Sequence, residues 1–237
     1  MVKTLTGHTD WVRALTTLQN GNLASGGDDA KVRIWDTNSF AQLRILTHLN
    51  AIYSLAVLPN GYLACGSYQE IKIWNAYNGS LIRTIVASNV VWSLAVLQSG
   101  YLASVTKETF VSIWNADNGS LIKKITDSNG VESFLEFNNG NLATGSMGQV
   151  NIWNGTDGSI IRSFTGYSGK VCPLVELPNG YLATGSNDLN SRIWNANNAS
   201  LIGYLTGHKQ PVSSFAILKN GDLATSSSDL TIKIWNV

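Results

Sequence analysis

Three sets of side chains along this sequence are of types that do chemistry. His8, Ser25 and Asp29 stand near one end, and His208, Thr225 and Asp229 near the other. A hydroxyl, an imidazole and a carboxylate are what nucleophilic catalysis needs, because the imidazole takes the hydroxyl proton and the carboxylate orients the imidazole. Glu136 and Glu176 are the third set, two carboxylates of the kind that divide general acid and general base roles. Spacing weighs against catalysis. Histidine and hydroxyl are 17 residues apart in both of the first two sets. A catalytic set is singular, whereas a set that recurs at fixed spacing answers a structural demand. The glutamates also occupy equivalent places in neighbouring copies of one pattern, where Thr17, Val57, Val96 and Ile217 stand in the others. Solvated charge explains them more simply than a catalytic pair. A calcium site would want more carboxylate oxygens. No CxxC or Cys/His cluster offers a metal site, so neither cofactor nor metal is expected.

The elements that position these residues follow from a repeat. The string Ile-Trp followed by Asp or Asn occurs at Trp35, Trp74, Trp114, Trp153, Trp194 and Trp235, at intervals of 39, 40, 39, 41 and 41. An internal period near 40 means a solenoid, a propeller or an array. Each copy holds four short stretches rich in Leu, β-branched and aromatic residues, such as 52–58, 62–67, 71–75 and 80–85. Each has the length of a strand, and none has the length or period of a helix. A Gly turn separates the first two stretches in every copy: Gly21, Gly61, Gly100, Gly140, Gly180 and Gly221. Asn-Gly at most of these turns supplies the positive φ of a tight hairpin. The turn between the third and fourth stretches repeats the device at Gly79, Gly119 and Gly158. The fold class is therefore all-β, in four-stranded antiparallel meanders that must pack face to face to bury both sides.

With these residues in hand, the chain resembles the WD40-repeat β-propeller family along its whole length. The resemblance implies one six-bladed propeller over residues 1–237. The units run about 3–44, 45–83, 84–123, 124–162, 163–203 and 204–237, the last completed by residues 1–6 as its outer strand. It also implies a hydrogen-bonded tetrad per blade. Two are complete in sequence: His8, Ser25, Asp29 and Trp35, and His208, Thr225, Asp229 and Trp235. The second copy keeps His48 with Gln69 near the Asp position. The fifth keeps Thr184, Asp188 and Trp194, with Tyr167 in place of His. The third and fourth have Ser88, Glu108, Ser128 and Gly148 thereabouts and are expected to rest on packing. The residue after Trp is Asp36 once and Asn elsewhere, a change that threatens little.

The resemblance further implies that a ligand face is lined by residues flanking the start of each first strand and by the residue before the tetrad Asp. Carried over, the candidates are Trp11, Arg13, Asp28, Tyr53, Tyr68, Val90, Trp92, Lys107, Glu132 and Lys170. The copies differ most at these places. Trp11 and Trp92 are the only Trp residues outside the repeated Trp position, and Trp, Tyr and Arg dominate binding hot spots. The expected function is a non-enzymatic scaffold that binds a protein or peptide segment on one face. The alternatives are a recently duplicated or engineered repeat protein with no ligand and, less favoured, a hydrolase using Glu136 and Glu176. A net charge of +1 recruits neither nucleic acid nor an anionic membrane. Two isolated cysteines and no apolar leader suit the cytoplasm. The terminal residues complement each other in the repeat, so a monomer is expected. Four Asn-x-Ser/Thr sequons occur, at Asn78, Asn118, Asn154 and Asn198, and three of them coincide with the repeated third turn.

Overall fold

The structure, a computed structural model, describes residues 3–106 and 108–237. Among these residues no helix forms, and the strands lie in antiparallel ladders. The chain divides into two compact units, residues 1–124 and 125–237.

The first unit opens with a four-stranded sheet in chain order: β1 (Val12–Thr17), β2 (Leu23–Gly27), β3 (Lys31–Trp35) and β4 (Gln42–Thr47). Seven strands follow: β5 (Ser54–Val57), β6 (Leu63–Gly66), β7 (Tyr68–Asn75), β8 (Ser80–Val96), β9 (Leu102–Thr106), β10 (Phe110–Trp114) and β11 (Leu121–Thr126). They form one sheet in chain order, although they belong to two sequence repeats. The second unit holds β12 (Ser133–Glu136), β13 (Leu142–Gly145), β14 (Met147–Trp153), β15 (Ile160–Glu176), β16 (Leu182–Ser186), β17 (Ser191–Asn195) and β18 (Ser200–Leu205) in a second seven-stranded sheet. A three-stranded sheet closes the list: β19 (Val212–Ile217), β20 (Leu223–Ser227) and β21 (Ile232–Trp235).

The merging of two repeats into one sheet has a local cause. In the second and fourth repeats the turn between the second and third strands is one residue shorter. Ser67 N–H donates to Glu70 O at 3.0 Å around Tyr68 and Gln69, and Ser146 N–H donates to Gln149 O at 2.9 Å around Met147 and Gly148. Gln69 and Gly148 take the required positive φ, 59° and 79°. The tight hairpin prolongs the third strand to its tip. Tyr68 then pairs with Val90, and Met147 with Lys170. The outer strand of one repeat thus runs unbroken into the inner strand of the next, giving β8 and β15 their 17 residues each.

The core repeats with the sequence. Ile71, Ile73 and Ile85 of one repeat pack with Leu102 and Trp114 of the next, and Val150, Ile152 and Phe164 pack with Leu182 and Trp194. Small residues allow the close approach. A Cβ on Gly145 would press into the Val171 carbonyl, and one on Gly66 into Ser54 Oγ and Val91. The first-turn glycines hold positive φ, as at Gly61 (84°), but the Asn before it does not. With Gly61 N–H donating to Leu58 O and Leu58 N–H to Tyr62 O, the loop is a longer turn ending in a glycine bulge, not a two-residue hairpin.

One expectation about the chain ends is not met by the described residues. Lys3–Thr6 form no strand, and the last sheet has three strands, not four. Met1 and Val2 lie outside the described residues.

Candidate functional site

Each repeat must satisfy a buried indole N–H, and the hydroxyl opposite it on the second strand is the usual acceptor. Trp35 Nε1 donates to Ser25 Oγ at 2.8 Å, and Ser25 meets His8 Nε2 at 2.7 Å, while His8 Nδ1 lies 2.9 Å from Asp29. The same chain of contacts links Trp235, Thr225, His208 and Asp229 at 2.9, 2.8 and 2.8 Å. Burial pushes the Asp29 carboxyl up, but donation from His8 and the Thr9 and Lys31 amides outweighs it and leaves the pKa lowered. Thr231, the Lys209 amide and His208 hold Asp229 well below the usual carboxylate range. Both sets are locked into a packing network, with the serine or threonine hydroxyl engaged by an indole.

The other repeats reach the same end by other means. In the second, Cys65 stands where the hydroxyl would be, and Trp74 Nε1 donates directly to His48 Nε2 at 3.0 Å. Burial, aided by Lys72, pushes the His48 pKa down to about 3, so the imidazole is neutral. In the fifth, Tyr167 OH meets Thr184 Oγ1 at 2.9 Å, Trp194 donates to Thr184 at 3.3 Å, and Arg192 covers the tyrosine ring at 4.3 Å while binding Asp188. Burial raises Tyr167 to about 12.

The third and fourth repeats need a correction. The register puts Ala87 and Asp127, not Ser88 and Ser128, at the histidine position. Ala87 is buried and Ser88 exposed. Asp127, 1% exposed, accepts from Thr144 Oγ1 at 2.7 Å and Asn151 Nδ2 at 2.9 Å, and Thr144 accepts from Trp153 at 2.9 Å. The fourth repeat therefore has a full polar network of its own. The third does not: Trp114 donates to Ser104 at 2.8 Å, and no histidine or aspartate follows. The residue after Trp also has a role that sequence reasoning missed. Asn75 Oδ1 accepts from the Tyr77 and Asn78 amides, and Asp36, Asn115 and Asn154 cap their turns in the same way. Any short side chain with an acceptor serves, which is why Asp and Asn exchange there.

The differing positions gather apart from these networks. In the first unit Tyr53 and Trp92 pack with ring centroids 4.7 Å apart, and Trp92 remains 41% exposed. Arg13 lies over the Trp11 ring at 4.8 Å and within electrostatic reach of Tyr53. Trp11 is 69% exposed. Tyr68 stands exposed at its hairpin tip, opposite the half-buried Val90. Trp11, Arg13, Tyr53 and Trp92 thus form a strip across three repeats. The Nε–Nη2 edge of Arg13 is already taken, because Nε and Nη2 grip both Asp28 oxygens at 2.6–3.0 Å. That grip holds Asp28 below its ordinary range and raises Arg13. In the second unit Lys170 Nζ pairs with Glu132 at 2.7 Å. Lys107 lies outside the described residues. Glu176 accepts the Asn138 amide at 2.7 Å, a structural contact.

A family model for the WD domain, G-beta repeat, matches residues 1–36, 40–75 and 199–236, the segments that hold His8, His48 and His208. These three segments match WD40 repeats. The WD40 segments match where histidine is kept, and the intervening repeats, with Ala87, Asp127 and Tyr167, lie outside the matched residues. The chain is 42% identical over 64 residues to the ubiquitin homeostasis protein lub1 of Schizosaccharomyces pombe, covering 27% of this chain and 9% of that protein. It is 36% identical over 63 residues to the small ribosomal subunit protein RACK1 of Drosophila melanogaster, covering 26% and 20%. The match thus spans a fifth or less of these relatives' length. The solved WD40 β-propeller domain of Doa1 superposes with a TM-score of 0.78 over 98% of this chain and 80% of that one, at 21% identity. The fold is that of WD40 propeller repeats.

Proposed function

We propose that this chain is a non-enzymatic binding module that holds a peptide or protein segment against the strip formed by Trp11, Tyr53 and Trp92, with Tyr68 beside it. One observation carries the reading: large aromatic side chains stay exposed where the repeats differ, while the histidine, hydroxyl and acid groups are engaged in repeated structural networks. Exposed aromatic clusters mark interaction sites. The pairing of Arg13 with Asp28 changes the ligand chemistry inferred from sequence. An acidic neighbour finds the bidentate Nε–Nη2 edge occupied and its charge offset by Asp28, which favours a segment that is apolar and uncharged at its centre. We also propose that the six Trp-centred repeats act as six blades of one ring in a monomer, a count that rests on the repeat itself. Sedimentation at several concentrations and small-angle scattering test it, and a stable dimer or an elongated profile would overturn it.

The binding test uses a peptide selected from a random display library on the intact chain. Titration calorimetry of Trp11→Ala and Trp92→Ala should each show a loss of at least about 2 kcal/mol, roughly thirtyfold in affinity. Asn118→Ala, on an outer turn, should leave affinity unchanged. If both Trp variants bind like the parent chain, the strip is not the site.

A further inference from the structure

The third repeat lacks what every other repeat has beside its tryptophan. The histidine position carries Ala87, against His8, His48, Asp127, Tyr167 and His208. The residue paired with the second-strand hydroxyl is also cut back. Ser112 pairs with Ser104, whereas Arg33, Lys72, Asn151, Arg192 and Lys233 occupy that place elsewhere. Beside these two truncations lies an open pocket of about 260 Å³, with Ala87, Ser104, Thr106, Ser112 and Trp114 at its base and Lys124 and the exposed Val86, Ser88 and Leu121 around it. A water takes roughly 30 Å³, so the space holds a small organic molecule.

Its polar groups are set for a ligand. Thr106 is 3% exposed, and among the described residues its Oγ1 has no hydrogen-bond partner. At the equivalent place Ser146 Oγ donates to Gln149 O, and Ser227 Oγ to Gln210 O. A buried hydroxyl left unpaired costs free energy that a ligand acceptor would relieve. Ser104 Oγ accepts the Trp114 N–H and donates to Ser112 O at 3.5 Å, and it meets no imidazole of the kind that its counterparts meet in the first and last repeats. Lys124, which lies over the Phe110 ring at 3.9 Å, brings a cation to the wall.

We propose that this pocket binds a small heteroaromatic carboxylate, its flat ring in the place that the histidine ring fills elsewhere. A ring nitrogen accepts from Thr106, and the carboxylate faces Lys124. This site is separate from the aromatic strip, so either can fail without the other.

The probes are imidazole, imidazole-4-carboxylate and acetate, followed by NMR of the Trp114 indole N–H and by calorimetry. Imidazole-4-carboxylate should bind saturably in the millimolar range that suits fragments of this size, and several-fold more tightly than imidazole. Lys124→Met should erase that preference and leave imidazole binding intact. Thr106→Val, which keeps the shape, should weaken both about tenfold. Ala87→His should fill the space, abolish both and raise the melting temperature. Acetate binding as well as imidazole-4-carboxylate, no saturable response in the parent chain, or unchanged affinity in Thr106→Val would each overturn the proposal, the last even if Ala87→His does not fold.

Discussion

A single buried indole N–H poses the same problem six times, and the solutions show what each side chain contributes. Histidine at positions 8 and 208 relays the hydroxyl to an aspartate, His48 accepts the indole directly, Asp127 gathers Thr144 and Asn151, and Tyr167 caps Thr184. Asp127 is the least obvious and the most buried of these. Replacing it by Ala leaves the Thr144 hydroxyl and the Asn151 amide without their acceptor, and urea denaturation should show a loss of about 1–3 kcal/mol. Glu108→Ala should cost much less, since Glu108 is only half-buried in the repeat that lacks a network. Equal losses would mean that Asp127 does not hold the fourth repeat together.

The pH dependence follows from His48. Its pKa falls from the ordinary histidine value near 6.5 to about 3 on folding, because burial disfavours the imidazolium. The unfolded chain therefore takes up a proton between those values and the folded chain does not. Stability is full above pH 6.5 and declines as pH drops toward 3. Asp29, Asp188 and Asp229, all lowered, add a second loss that begins near the ordinary carboxylate range and grows as pH falls through their folded values. His48→Gln should flatten the stability profile between about pH 6.5 and 5 while leaving the steeper acid limb in place. An unaltered slope in that interval would show that His48 is not the titrating group.

At the scale of elements, the four strands of the first five repeats and the places of the turns were legible, because Asn-Gly and Trp recur at fixed intervals. One thing was not. Repeats two and four each drop one residue in the turn between the second and third strands, and the loss looks trivial in sequence. It makes the Ser67–Glu70 and Ser146–Gln149 hairpins tight enough to extend the third strand, and so welds two repeats into one sheet. The histidine position was legible: the spacing of 17 that links His8 to Ser25 leads from Ser104 back to Ala87 and from Thr144 back to Asp127, not to Ser88 and Ser128. Side-chain identity alone could have located Asp127, an acid inside an otherwise apolar and polar-neutral stretch, but only burial shows that it is a hub. The close approach behind these sheets gives a direct test. Gly145→Ala would drive a methyl into the Val171 carbonyl, a backbone atom that cannot rotate away. The expected loss is about 1–3 kcal/mol, at the upper part of what single substitutions cost. Gly140→Ala places its methyl in open space but at a φ of 80°, so its cost is conformational alone and should be smaller. Melting curves of the two variants that coincide would show that contact at Gly145 does not limit packing.

For the molecule as a whole, charge is sparse. Charged residues make up 13% of the chain, and net charge is +1. At the proposed binding strip Arg13 is held by Asp28, and the surrounding anchors are aromatic. A surface of this kind draws its affinity from apolar burial, with little long-range steering. The dissociation constant of a strip-binding peptide should therefore change by less than about threefold between 50 and 500 mM salt, since screening acts on charges that face each other, not the ligand. Releasing the guanidinium should reverse this. In Asp28→Asn the Arg13 side chain keeps its place over Trp11 but loses its anionic partner, and becomes a bidentate donor open to a carboxylate. A variant of the same peptide with one Glu beside its aromatic anchor should then bind more tightly than the neutral peptide at low salt, and lose that advantage at 500 mM. The parent chain should show no such preference. If it prefers the acidic peptide in a salt-dependent way, the Arg13–Asp28 pair opens on binding and the strip recognises charge as well as apolar surface.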